Sequence, residues 1–145
     1  MVVIEKNSLK DLKLDTQAIQ KSFKNATLEV GFFENARYPN GTYVASVAKW
    51  QELGTIHIPP RPFMRPTIEN KQESWVRFVN QQSAKGVPTD KIFAQLGELI
   101  KGQIITKIGS VNTPPLKKTT IKAKGSSKPL IDTGIMRRSV TYVVS

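Results

Sequence analysis

The sequence predicts an α+β domain in which a small, mostly antiparallel sheet packs against two or three helices and a long basic loop interrupts the C-terminal third. Three observations carry this. ATLEVGFF (26–33) and SVTYVV (139–144) alternate with period two and are rich in β-branched and aromatic residues. Two segments between them, 66–84 and 89–108, repeat apolar residues at helical spacing. Residues 109–130 lose all periodicity and hold three prolines, two glycines and five lysines.

The elements follow in order. Residues 8–24 offer a loose helical stripe through Leu9, Leu12, Ala18, Ile19 and Phe23, with Asp15 or Thr16 placed to cap a restart. Residues 1–25 therefore form an N-terminal helical segment. In the strand that follows, Leu28, Val30 and Phe32 share one face, and Gly31 marks a bulge or a close backbone approach. NARYPNGT (35–42) is dense in turn formers, with Asn40-Gly41 the strongest signal and Thr42 the natural N-cap of the next helix. That helix carries Val44, Val47, Ala48 and Gln51 and stops at Gly54, where a positive φ suits glycine.

Pro59, Pro60, Pro62 and Pro66 then fall within eight residues. Each fixes its own φ and pushes the residue before it toward extended backbone, so the loop is stiff. A second helix opens near Pro66 and runs to Ala84, with Ile68, Trp75, Phe78, Val79 and Gln82 on one side and Glu69 and Glu73 at its positive end. A third starts after Thr89 or Asp90. Its wide apolar face is Ile92, Phe93, Leu96, Leu99, Ile100, Ile104 and Ile108, and Gly109 closes it. These two antiparallel helices supply most of the core. Leu116 to Lys122 has the makings of a brief helical turn. Asp132 or Thr133 caps another, and the Asp132-Thr133-Gly134 turn holds the far end of the basic loop against the domain. The strand at 139–144 pairs with 26–33.

At 145 residues the chain is read as one domain, 1–145, with no internal repeat and no apolar run of membrane-spanning length. The start, MVVIEKNSLKDLKLD, is too charged for a secretory signal. With no cysteine and one histidine, neither disulfides nor a structural zinc site is expected, which fits a cytosolic product. Of the net charge of +11, residues 101–145 carry +8, from nine basic residues against Asp132 alone. Such asymmetry points either to a polyanionic neighbour, DNA or an acidic protein face, or to a solvated loop that keeps the chain soluble.

Catalytic patterns are missing from the sequence. No metalloprotease, nucleophile-elbow or phosphate-loop motif occurs, and His57 has no partner supplied by any signature. No enzyme, cofactor or metal is expected. Glu52 reads as the polar face of a helix end. Trp75 and Phe78 read as core, and Trp50 either as core or as a partner's anchor. The candidate interface is Trp50 with Ile58, Pro59, Pro60, Arg61, Pro62, Phe63, Met64 and Arg65, since a stiff loop presents arginine and aromatic side chains at little ordering cost. Within it, Phe63 is expected inward and the arginines outward, while Met64 either joins Phe63 over the helices or faces a partner. Lys117, Lys118, Lys122, Lys124 and Lys128 form the candidate basic patch for DNA or an acidic partner.

Two blocks, Glu52-Leu53-Gly54 with IPPRPFMRP (58–66) and PLIDTGIMRRSV (129–140), stand in the order seen in the neck or tail-completion proteins of tailed bacteriophages. The chain resembles that family from about Leu28 onward. The resemblance implies a virion-morphogenesis protein, of the head–tail joining or minor tail kind, that assembles as a six- or twelve-fold ring. Its partners would be connector and tail proteins and copies of itself, with non-specific contact to packaged DNA and no membrane. Its place would be the virion's head–tail junction, reached from the host cytoplasm during assembly. The expectation from another class is a DNA-binding accessory protein that uses the lysines as a phosphate clamp. Against it stand the absence of a recognition-helix motif and of aromatics among the lysines.

Overall fold

A long helix laid across a three-stranded sheet organises the molecule. The computed structural model describes residues 2–4, 23, 25–118, 120, 122 and 134–145. In chain order the elements are β1 (Val2–Ile4), β2 (Leu28–Gly31), α1 (Val44–Leu53), α2 (Met64–Ala84), α3 (Thr89–Ser110), α4 (Ile135–Arg138) and β3 (Thr141–Val144). The sheet order is β1-β2-β3, antiparallel throughout. The fold is thus α+β, as the two periodicities predict.

Strand β2 is central. Leu28 pairs with Val144 and Val30 with Tyr142, which sets these side chains on the face toward α3. Glu29 and Val143 pair on the opposite face, where Val143 is exposed. Backbone bonds between Thr27 and Ser145, at 2.7 and 2.9 Å, extend the ladder. Gly31 pairs in regular register with Thr141, so no bulge forms there. The strand at Val2–Ile4 corrects the reading of 1–25 as wholly helical. Three residues are too few to display a period, and their partner lies far along the chain. The helix expected over 8–24 lies outside the described residues except Phe23, which is buried with its ring centroid 5.0 Å from that of Phe93.

Helix α3 packs on the sheet through one face and on α2 through another. Ile92, Phe93, Leu96, Ile100, Ile104 and Ile108 are all buried. Burying six such side chains contributes roughly 10 kcal/mol or more, far above the helix-propensity cost of about 1 kcal/mol for each internal glycine. Leu99, expected on this face, is instead 39% exposed, because the buried arc is narrower than the apolar one. Gly109 does not close the helix, which continues through Ser110. Gly97 is where helix and sheet meet. A Cβ there would lie 2.6 Å from Cγ of Tyr142, so only glycine allows this approach.

Helix α2 buries Met64, Thr67, Trp75 and Val79, with Ile68 and Phe78 partly covered. The Trp75 indole donates to Oε1 of Gln103 on α3 at 2.7 Å, satisfying its one polar atom. Pro66 sits in the first turn, as predicted, but the helix begins two residues earlier. Glu69 and Glu73 consequently lie beyond the first turn, where the dipole's influence has decayed.

The caps differ from expectation. Asn40, not the α1 terminus, engages Thr42: its Oδ1 accepts from the Thr42 amide at 3.0 Å, and Gly41, with φ +86°, completes the turn. Tyr43 occupies the N-cap of α1 without a side-chain capping bond, its hydroxyl instead accepting from Arg37. At α4 the N-cap is Gly134, with φ +72°, rather than Asp132 or Thr133, both of which lie outside the described residues. Lys118, Thr120 and Lys122 are helical, in keeping with the turn read over 116–122.

Gly97→Ala should destabilise the protein by about 1–3 kcal/mol in urea unfolding, since the Tyr142 ring cannot yield without unpacking β3. Gly102→Ala on the same helix meets nothing within 4 Å and should instead stabilise by up to about 1 kcal/mol. Equal effects at both positions would refute the close packing at Gly97.

Candidate functional site: a proline loop clamped between two helices

The proline loop owes its shape to a carboxylate from the preceding helix. Glu52, in the last turn of α1, accepts three backbone N–H bonds from the start of α2. Oε2 takes those of Phe63 and Met64 at 2.8 and 2.9 Å, and Oε1 takes that of Arg65 at 3.0 Å. Helix starts leave such amides unpaired and carry partial positive charge, so an anion there is doubly favourable. Glu52 is thus a cap supplied by a neighbouring helix, a correction to its reading as a polar surface position.

The rest of the loop is pinned at both ends and in the middle. Gly54 has φ +75° and donates to the Trp50 carbonyl at 2.8 Å. A Cβ on Gly54 would stand 2.9 Å from the Ile58 carbonyl, so the chain folds back tightly upon it. Thr55 Oγ1 accepts from the amides of His57 and Ile58 at 3.2 and 3.0 Å. The Arg61 amide donates to the Gln51 carbonyl at 2.6 Å, occupying an oxygen in the last turn of α1.

Phe63 points inward, as expected, and is buried edge-on to Phe32 at 6.0 Å between centroids. Met64 is buried beside it. The arginines part company. Arg65 is exposed, but Arg61, expected outward, is only 5% exposed. Its Nε donates to the Pro114 carbonyl at 2.9 Å, and among the described residues no carboxylate pairs with it. Burial pushes the guanidinium below its ordinary value, yet an arginine stays charged. The contact with Pro114, together with buried Val111, anchors the start of the segment read as a flexible basic loop.

Arg61 lies in a cleft of about 620 Å³ bounded by α1, the proline loop, the 38–42 turn, Pro115 to Lys117, and Thr120. Its apolar wall includes Trp50, Ile58, Pro59, Leu116 and Met136, and among the described residues no Asp or Glu lines it. Trp50 is 43% exposed, which decides between its two readings in favour of an exposed side chain. Gln51 also lines the cleft, and its Oε1 is buried without a partner among the described residues. Along the outer edge, Leu53 is 56% and Ile56 93% exposed. Pro59 and Pro60 are exposed, and Ile58 and Pro62 are half-buried.

Of the candidate lysines, Lys117, Lys118 and Lys122 are exposed, and Lys117 stands at the cleft. Lys124 and Lys128 lie outside the described residues. His57, also at the cleft, is exposed and faces no carboxylate among the described lining residues. The described residues contain no group of three acidic, histidine or cysteine side chains placed to hold a metal, and no helix long and apolar enough to cross a membrane.

Sequence reasoning missed Glu52, buried Arg61 and Gly97. Only Glu52 had an accessible signal: a carboxylate just before a helix stop, with a new helix about ten residues on. No family model matches the chain, and no curated protein or solved structure matches it either.

Glu52→Ala removes three charge-assisted acceptors and should cost about 2–3 kcal/mol in urea unfolding. Glu52→Gln, which keeps the shape and one carbonyl oxygen, should lose about half as much. A surface position would give no more than about 0.5 kcal/mol for either change, and that result would remove the cap from the argument.

Proposed function

We propose that this chain is a structural protein of a tailed-phage virion or prophage, a neck or tail-completion component that assembles as a ring at the head–tail junction. The observation that carries the reading is the run of exposed apolar side chains, Trp50, Leu53 and Ile56, along a backbone held by Glu52, Gly54 and four prolines. A rigid, water-exposed apolar edge favours association, because little conformational entropy is lost when it is covered. It directly precedes the IPPRPFMRP block, one of the two on which the family resemblance rests. Docking of this edge onto a different patch of the next copy is a heterologous contact, which closes into a ring when the rotation permits.

The basic segment adds a second contact. Lys117, Lys118 and Lys122 are exposed and stand ready for an acidic ring or for DNA in the channel. Electrostatic docking to phosphate weakens steeply with salt, whereas the apolar edge does not.

Deleting the gene from its phage or prophage and viewing the particles by negative stain tests the reading. Filled heads separated from finished tails are the expected outcome. Normal infectious virions would overturn it and turn attention to the lysines as a DNA clamp. In a complementation assay, Ile56→Asp and Trp50→Ala should leave stability within about 0.5 kcal/mol of the parent while abolishing joined particles. Full complementation by both would remove the apolar edge from the interface.

A further inference from the structure

We infer that the Arg61 cleft is a receptor for an acidic peptide segment of a partner protein, an Asp or Glu side chain pairing with Arg61 while an adjacent apolar residue packs on Trp50. The inference rests on the docking role proposed above and adds the chemistry of the partner.

Charge complementarity carries it. The Arg61 guanidinium is buried, its one side-chain bond among the described residues is to a neutral carbonyl, and burial already lowers its proton affinity. A buried cation without an anion is costly, and the cost is relieved by a hydrogen-bonded carboxylate. The surroundings reinforce the preference. Lys117 and His57 stand at the same cleft, and among the described residues no Asp or Glu lines it. The single ion pair among the described residues, Lys101 with Glu98, is on α3, away from the cleft lining.

The shape selects peptide over nucleic acid. A volume of about 620 Å³ suits a few residues of extended chain, and the cleft wall of Trp50, Ile58, Pro59, Leu116 and Met136 offers apolar cover for them. A duplex presents its phosphates on a convex ridge and meets exposed lysines or arginines, not a 5%-exposed guanidinium in the wall of a cleft. Planar, bidentate recognition of a carboxylate is what arginine does better than lysine.

The test starts with a yeast-displayed library of random dodecapeptides selected on the full chain. Enriched peptides are expected to carry Asp or Glu beside an aliphatic or aromatic residue. One is then synthesised with a fluorophore, and its affinity measured by anisotropy. Changing its acidic residue to the amide should weaken binding to the parent chain at least tenfold and to the Arg61→Gln variant less than twofold. Trp50→Ala, a change at an exposed position, should weaken binding at least fivefold and keeps the test valid if Arg61→Gln unfolds. The indole N–H of Trp50 should shift in NMR spectra as peptide is added.

Selection without acidic residues, or indifference to the carboxylate-to-amide change, would overturn the inference. So would a twelve-residue oligothymidylate that displaces the peptide at equal concentration and moves the same indole signal, since the site would then be one for phosphate. These measurements use the purified chain alone, so their failure is distinct from a failure of the neck reading, which rests on particles.

Discussion

Glu52 reaches from the end of one helix to the beginning of the next, and its two oxygens accept from three consecutive amides there. The bond set closes a loop of ten residues between its own position and Phe63. Within that loop Gly54 turns the chain back, Thr55 braces it, and the prolines remove its remaining backbone freedom. The apolar edge outside and the cleft inside both lie along the segment whose two ends that one carboxylate ties together. Clamping of this kind concentrates the ordering cost in folding, so none remains to be met when a partner arrives.

A second constraint sets what the clamp is mounted on. Helix α3 contacts the sheet and α2 at once, and its small residue at Gly97 lets Tyr142 lie against the helix backbone. With α4 bearing on both α3 and α1, and Met136 buried between the core and the cleft, the clamp is braced from beneath by the main hydrophobic cluster. Stiffness at the loop is therefore a property of the whole domain, transmitted through packed side chains rather than confined to the prolines.

The charge distribution acquires a meaning in this frame that a net value lacks. Among the described residues most lysines and arginines are exposed, and the individual contributions of such groups to stability are small. Arg61 differs in kind. It lines the cleft at only 5% exposure, and among the described residues its one side-chain hydrogen bond runs from Nε to a neutral carbonyl. A domain tolerates such a group where a partner supplies the opposite charge, and specificity comes with it, since a partner lacking the anion leaves the cation buried and unpaired.

Local pattern was enough to read α1, α2, α3, β2 and β3, because each displays its period within its own residues. The inward turn of Phe63 and the stiffness of the loop were legible on the same grounds. What escaped depends on residues distant in sequence. The strand at Val2–Ile4 is defined by its pairing to Leu28–Val30, not by its composition. Arg61 looks like any surface arginine until the Pro114 carbonyl, 53 positions on, receives its Nε proton. Gly97 is an ordinary weak point of a helix until Tyr142 is laid against it. The sequence by itself determined the three long helices, the two strands β2 and β3 and the proline-rich character of the loop, all of which follow from short-range sterics and periodic burial. Only the tertiary structure decided which carboxylate caps which helix and which arginine is shut away from water, because burial and pairing are set by what packs against a residue and not by its neighbours in the chain.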